Sequence, residues 1–167
     1  MPLYEGIGLI SEKHAVVLDI GTSLTKCGYA GEMSPRLVKN SLMRLELDID
    51  HYHIRCIVPS QVKGKSLHSI STSSELYSAL VDFVHHLYFK WLLVNPKDRR
   101  VVIVENVLGP TMFRETLAKV LFRHYEVSSV LFVPSHLVCL FSLGVRTGLV
   151  VDCGHKETTA IPVSESY

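Results

Sequence analysis

The segment from Val16 to Gly31, VVLDIGTSLTKCGYAG, constrains the fold more than any other part of the chain. Its first residues favour a β-strand, and one acid, Asp19, interrupts them before the polar sequence Gly21-Thr22-Ser23. The residues from Leu24 to Ala30 favour a second strand. Two strands joined by so few residues predict a tight β-hairpin.

The turn of this hairpin carries the groups that a phosphate chain and its divalent cation require. Asp19 supplies a carboxylate, Gly21 lets the backbone approach a ligand closely, and Thr22-Ser23 supplies two hydroxyls. Lys26 adds a positive charge four residues after Thr22. Spacing alone leaves two interpretations open, a phosphate-binding loop and an ordinary surface hairpin, because short glycine motifs often occur by chance.

The segment from Leu37 to Ser71 is the least regular part of the chain, since it shows no clean hydrophobic period. Ile54 to Val58 is predicted as a third strand, and Lys63-Gly64-Lys65-Ser66 as a flexible loop. This loop is not a Walker phosphate loop, because Pro59 stands where that motif has its first glycine.

The sequence after Ser71 predicts helices that alternate with strands. Thr72-Ser73-Ser74-Glu75 fits a capping box, which predicts a helix that begins there and continues to about Leu93 with one apolar stripe. Asn95-Pro96 ends this helix. The run Val101-Val102-Ile103-Val104 has no polar alternation, so it is predicted as a strand covered on both faces.

A second helix, a second buried strand and a short third helix follow. Pro110-Thr111 begins the second helix, and Val130 to Val133 is predicted as the buried strand. Ser135 is the predicted cap of the third helix and Gly144 its predicted stop.

The last residues predict another hairpin, with strands at Gly148 to Cys153 and Glu157 to Val163. Its turn again carries an acid and a glycine, Asp152 and Gly154. The whole order of strands and helices predicts an α/β fold.

Charge and composition argue against several classes of function. The chain has 17 basic and 16 acidic residues, so no global field favours nucleic acid or an anionic membrane. The 4 cysteines show no close-pair spacing and the N-terminus shows no basic-then-apolar leader, which together predict a cytosolic protein with free thiols. The 9 histidines form no strong zinc spacing.

Several segments resemble the actin family. DIGT, from Asp19, followed by a strand, resembles the first phosphate loop of the superfamily of actins, sugar kinases and heat-shock ATPases. The continuation KCGYAGEMSPR resembles the actin branch, and further actin-like stretches follow in order: NPKDRRVVIVEN, FRETLAKVLF and VVDCG. The segments most similar to the actin-related proteins at the pointed end of the dynactin filament are MPLYEG, YFKWLLVNPKDRR and VPSHL.

The resemblance implies an actin-like ATPase fold, in which two ribonuclease-H-like lobes face each other across a nucleotide cleft. Residues 1–147 are expected to form the first lobe, a mixed sheet with flanking helices, and residues 37–72 a divergent and reduced outer subdomain. Residues 148–167 are expected to begin an incomplete second lobe. The chain is therefore interpreted as the N-terminal portion of a longer protein, and its last hairpin is expected to lack sheet neighbours.

The resemblance also implies the candidate site. Asp19 would act through water on nucleotide-bound magnesium, Gly21, Thr22, Ser23 and Leu24 would hold the terminal phosphates, and Lys26 would neutralise their charge. Asp152 and Gly154 would close on the phosphates from the opposite lobe. The implied cofactor is ATP or ADP with magnesium in the full-length parent, and tight binding by this chain is not expected because half of the cleft is absent.

Two departures from the actin pattern weaken the expected hydrolysis. The turn from Cys153 to Glu157 carries bulky residues where actin has small ones, which hinders close approach of backbone to phosphate. Alignment backwards from Asp152 places Ser135, with His136 beside it, where actin keeps the glutamine that orients the attacking water. Serine is too short for that role, so hydrolysis is expected to be slow unless His136 is a general base. The simpler interpretation makes His136 a first-turn helix residue without a catalytic part.

Three functions remain open. The first is a structural actin-related subunit of the cytoplasm and cytoskeleton, which caps the pointed end of the dynactin filament, supports dynein-driven transport along microtubules and has other dynactin subunits as partners. A reduced outer subdomain suits such a capping subunit, because actin uses that region to contact the next subunit toward the pointed end. The second is an ATPase or sugar kinase of the same superfamily, and the third is a truncated lobe without stable function.

Overall fold

The computed structural model describes residues 13–40, 67, 72–155 and 157–164 of the chain. The described residues form seven strands: Val16–Ile20 (β1), Leu24–Tyr29 (β2), Leu37–Asn40 (β3), Val101–Glu105 (β4), Val130–Pro134 (β5), Gly148–Cys153 (β6) and Thr158–Val163 (β7). They also form three α-helices: Ser73–His86 (α1), Thr111–Lys119 (α2) and Ser135–Leu143 (α3). The first two helices continue into π-helical turns at Leu87–Leu92 and Val120–His124.

Five strands form one mixed sheet in the order β3-β2-β1-β4-β5. β2 is antiparallel to β1 and to β3, whereas β1, β4 and β5 run parallel. The register places Asp19, Val104 and Val133 in one row across the parallel strands. The carboxyl ends of these three strands therefore lie together at one end of the sheet, which is called here the carboxyl edge. Open α/β sheets bind ligands at this end.

The hydrophobic core packs β1 and β4 against the helical segments. Val16 and Leu18 are fully buried, while Val17 and Asp19, which alternate with them, are only partly covered, as expected for a strand. The predicted apolar stripe of the first helix is confirmed for Leu76, Leu80, Val84 and Leu87, which are buried. Its last predicted member, Trp91, is partly buried and packs against the core. Asp19 consequently lies on the face of β1 opposite its core residues.

The predicted fold class is confirmed, and so is the order of those predicted strands and helices that lie within the described residues. The first hairpin forms as β1 and β2, and the helix after Thr72 ends where Leu93 adopts the left-handed conformation. Gly144 ends α3 with a φ of 68°, as predicted for a helix stop. Local sequence signals were sufficient at each of these positions.

Several details differ from the predictions. The third described strand is β3, whereas the predicted strand Ile54 to Val58 and the loop Lys63-Gly64-Lys65-Ser66 lie outside the described residues. β5 is not fully buried, since it is the outermost strand beside β4 and Leu131 is 59% exposed.

The predicted side-chain caps are absent at both helices concerned. Thr72 is the N-cap residue of α1, but its side chain makes no cap hydrogen bond, and the amide of Leu76 donates to its backbone carbonyl instead. Pro134, not Ser135, is the N-cap residue of α3. Ser135 already belongs to the first turn, where its hydroxyl is no longer at the capping position.

The second hairpin, β6 and β7, forms a separate two-stranded sheet. Leu149 and Val151 of β6 are exposed although both are apolar. The hairpin packs closely against α3 at Gly148. A Cβ added to Gly148 would lie 3.1 Å from the Leu140 side chain of α3. A two-stranded sheet with so little cover gains little stability from burial.

The cysteines in the described residues have free thiols, as predicted. Cys27 is buried in the core, whereas Cys139 and Cys153 are exposed. Burial raises the pKa of the Cys27 thiol to about 11, so it is protonated and unreactive near neutral pH. Among the helices that the structure describes, none is both long enough and apolar enough to cross a membrane.

Amide hydrogen exchange should be much faster in residues 148–163 than in Val101–Glu105. β4 pairs with a strand on each side, whereas β6 and β7 pair only with each other among the described strands. Amide hydrogen exchange of the 167-residue chain, followed by mass spectrometry, measures this difference. β5, which is partly exposed but pairs with β4 in the main sheet, is the internal control. Equal protection of β4 and β6 would contradict the separation of the second hairpin from the main sheet.

Candidate functional site

The turn between β1 and β2 is closed by a hydrogen bond within the turn itself. The amide of Gly21 donates to the Leu24 carbonyl over 3.0 Å. A Cβ at Gly21 would lie 2.8 Å from the same carbonyl oxygen, which is closer than real Cβ contacts allow. Only glycine therefore fits this position without a shift of the backbone. Because the Gly21 amide is used inside the turn, a phosphate would take its hydrogen bonds from other groups of the segment.

Asp19 and Lys26 lie directly opposite each other on the two strands of this hairpin. The Lys26 Nζ atom is 3.1 Å from the Asp19 Oδ2 atom, and the two side chains are 52% and 40% exposed. The structure thus brings together the carboxylate and the ammonium group of the predicted site, in a position that solvent reaches. Thr22 and Ser23 lie in the turn between them and are partly buried.

Gly154 repeats the geometry of Gly21 in the second hairpin. Its amide donates to the Glu157 carbonyl over 2.9 Å, and a Cβ there would lie 2.9 Å from that oxygen. In each hairpin the glycine follows an acid by two positions, Asp19 in the first and Asp152 in the second. The two turns therefore share both a sequence pattern and a backbone conformation.

The second turn reaches the carboxyl edge of the main sheet. Asn106, the first residue after β4, donates from Nδ2 to the Glu157 Oε1 atom over 3.5 Å. β4 is the parallel neighbour of β1, so the two glycine turns approach the same edge. Asp152 is exposed, and Lys156 lies outside the described residues.

Ser135 and His136 begin α3 directly after β5, also at the carboxyl edge. Both side chains are partly buried. The Nδ1 atom of His136 is buried, and it has no hydrogen-bond partner among the described residues. Since no carboxylate binds this nitrogen there, the described surroundings do not fix the tautomer that a general base requires.

Two polar residues at the end of β4 belong to the same edge and were missed by sequence reasoning. Glu105 is paired with Arg114 over 3.4 Å, and the side-chain carbonyl of Asn106 accepts from the Leu108 amide over 3.1 Å. Their position directly after the apolar run of β4 could have identified them. Strands without polar alternation are typically parallel, and parallel strands end together at the edge where ligands bind.

The residues of the first turn fit a magnesium-bound phosphate chain. A partly exposed carboxylate suits the water shell of magnesium, which prefers oxygen ligands and dehydrates reluctantly. An ammonium group at 3.1 Å from it can neutralise a phosphate beside the ion.

Comparison with known proteins shows a match to the actin family over residues 10–167. Actin-related protein 2 of Arabidopsis thaliana is 28% identical over 170 residues, which cover 95% of this chain and 44% of the relative. Actin-related protein 10 of Dictyostelium discoideum is 29% identical over 172 residues, which cover 93% of this chain and 35% of the relative. The chain thus spans less than half the length of these curated relatives.

Replacement of Asp19 by Asn should lower the free energy of unfolding by less than about 1 kcal/mol, because exposed ion pairs contribute little to stability. Urea unfolding of the 167-residue chain measures the change. Asp98→Asn is the matched control, since it removes the acid from the similarly exposed Lys13–Asp98 pair. A much larger loss for Asp19→Asn than for Asp98→Asn would show that Asp19 serves the fold rather than a ligand.

Proposed function

Because the chain belongs to the actin family, we propose that it functions as a structural actin-related subunit which caps the pointed end of the dynactin filament. In this role it supports dynein-driven transport along microtubules, and its partners are other dynactin subunits. The finer assignment, to actin-related protein ten, also called eleven, rests on MPLYEG, YFKWLLVNPKDRR and VPSHL and is supported by the 29% identity to an actin-related protein 10.

The observation that carries a structural rather than a catalytic role is the contrast along the carboxyl edge. Asp19 and Lys26 keep the chemistry of a phosphate site. The resemblance to actin, by contrast, aligns Ser135, the first residue of α3, with the glutamine that orients the attacking water. His136 lacks a described partner for its buried nitrogen. Such a site holds a nucleotide better than it activates water.

Nucleotide, ATP or ADP with magnesium, is accordingly proposed as a structural ligand of the full-length parent that this chain does not bind tightly. Asp19 would hold the hydrated ion, and Lys26 and the first turn would hold the phosphates. Asp152 and Gly154 would complete the site from the second hairpin. The shared geometry of the two glycine turns and their approach to one edge support this arrangement.

The sheet topology supports a division of the chain into a first lobe, residues 1–147, and the start of a second lobe, residues 148–167. The second hairpin forms its own sheet and exposes Leu149 and Val151. α3, which precedes it, also exposes Phe141 and Leu143. These exposed apolar side chains support the proposal that α3 and β6 pack against further protein.

An ATPase or sugar kinase is the second candidate, because the first turn alone has the chemistry that such enzymes share. It receives less support, since no sugar-binding residue can be assigned and the match to the actin family extends over nearly the whole chain. A lobe without stable function is the third.

Gentle purification of the tagged 167-residue chain from cells, with its companions identified by mass spectrometry, distinguishes these candidates. We expect recovery of dynactin pointed-end subunits, because the proposed role is docking rather than catalysis. Leu18→Asp is the control for misfolding, since it places a charge at a fully buried core position and should replace those partners by chaperones. Recovery of chaperones alone by the unaltered chain would contradict docking by this chain.

A further inference from the structure

A pocket of about 480 Å³ lies at the opposite edge of the sheet from the phosphate turn. It is formed where β2 ends at Tyr29 and where His14 and Arg99 precede β1 and β4. Arg36, from the segment that leads into β3, completes its charged wall. This cavity, called here the amino-edge pocket, is separate from every residue predicted to bind nucleotide.

Two guanidinium groups flank the ring of Tyr29 in the amino-edge pocket. The Cζ atom of Arg36 is 4.4 Å from the ring centroid, and that of Arg99 is 4.7 Å from it. The ring itself is buried, and its hydroxyl donates to the Leu92 carbonyl over 3.0 Å. A fixed aromatic ring holds both arginines by cation–π contact, so their charges are positioned before any ligand arrives.

One acid, Glu32, lies among the lining residues, and both of its oxygens are already used. Oε1 accepts from the Arg36 Nε atom over 2.6 Å, and Oε2 accepts from the Tyr29 amide over 3.0 Å. The backbone hydrogen bond from Tyr29 and the Arg36 guanidinium lower the pKa of Glu32, so the acid is ionised near neutral pH. Two arginines against one carboxylate leave the pocket with a net positive charge.

Each arginine retains donors for a ligand. Arg99 uses Nη1 to donate to the His14 carbonyl over 2.9 Å, and Arg36 uses Nε for Glu32. A guanidinium group has five N–H donors in a planar fork, and it binds a carboxylate in a bidentate manner when two of them are available. The pocket therefore suits an anion with planar oxygens.

Apolar side chains border these charges. Leu92 and Val94 line the pocket, and Leu93 between them is 76% exposed. A patch that combines arginine, tyrosine and exposed apolar side chains is typical of protein recognition, whereas a small inorganic anion would leave the apolar part in water.

We propose that the amino-edge pocket binds an acidic segment of a protein partner. Acidic side chains of that segment pair with Arg36 and Arg99, and a neighbouring apolar side chain packs on Leu93. The proposal does not depend on nucleotide or on the identity of the filament, because its residues belong to the other edge of the sheet.

Fluorescence anisotropy tests the proposal with a labelled hexapeptide of alternating glutamate and leucine, added to the 167-residue chain at low ionic strength, where charge screening is weak. We expect saturable binding of this peptide and no binding of the matched lysine–leucine hexapeptide. The double variant Arg36→Gln, Arg99→Gln should weaken binding by about tenfold or more, since it removes both charge-assisted contacts. Arg123→Gln removes the same charge from an exposed site outside the pocket and should leave affinity unchanged.

Leu93→Asn keeps the proposal testable if the double variant does not fold. Leu93 has a φ of 52°, a conformation that asparagine tolerates well, so the fold should be retained while the apolar contact is lost. We expect several-fold weaker peptide binding. Unchanged affinity in the Leu93→Asn variant or in a folded double variant would overturn the proposal. Displacement of the peptide by inorganic phosphate at equal concentration would also overturn it, because the pocket would then be a site for free anions.

Discussion

The pairing of β1 on both of its sides is the interaction on which the rest of the structure depends. β1 is antiparallel to β2 and parallel to β4, and Val16 also donates to the Arg100 carbonyl over 2.9 Å. Because the side chains of a strand alternate, burial of Val16 and Leu18 in the core leaves Asp19 on the other face. The same pairing places Lys26 opposite Asp19. One strand therefore sets both the core and the candidate phosphate site.

Local patterns were sufficient to predict much of this arrangement. The Asp-x-Gly turn specifies a hairpin because Gly21 alone tolerates the approach of the Leu24 carbonyl, and Gly144 stops α3 because it adopts a positive φ. The juxtaposition of Asp19 and Lys26 also follows from a tight turn, since hairpin register is fixed by loop length. These features depend on residues that are close together in the chain.

Features that depend on distant pairing were missed. β3 is only four residues long, and it forms because β2 offers it a partner rather than because its sequence is strongly β-prone. Glu105 and Asn106 gain their place in the site only from the alignment of β4 with β1. The amino-edge pocket joins His14 and Arg99, which are 85 positions apart, so it has no linear motif.

The two edges of the sheet consequently offer different chemistry within a chain of net charge +1. Among the described residues, the carboxyl edge presents carboxylates, Lys26 and two glycine turns, which suits a hydrated cation with phosphate. The amino edge presents two arginines on a buried tyrosine, which suits a carboxylate of another protein. The proposed subunit would use the first edge for a nucleotide and the second for a neighbouring protein.

The most direct test of a phosphate site at the carboxyl edge is a nuclear magnetic resonance titration of the ¹⁵N-labelled 167-residue chain with magnesium ADP. The amide signals of Gly21, Thr22 and Ser23 should move with roughly millimolar affinity, because the contacts of a complete cleft are not all present. The signal of Gly31, at the amino-edge pocket, should stay in place and is the internal control. Movement of Gly31 without movement in the Gly21–Ser23 turn would contradict a phosphate site at the carboxyl edge.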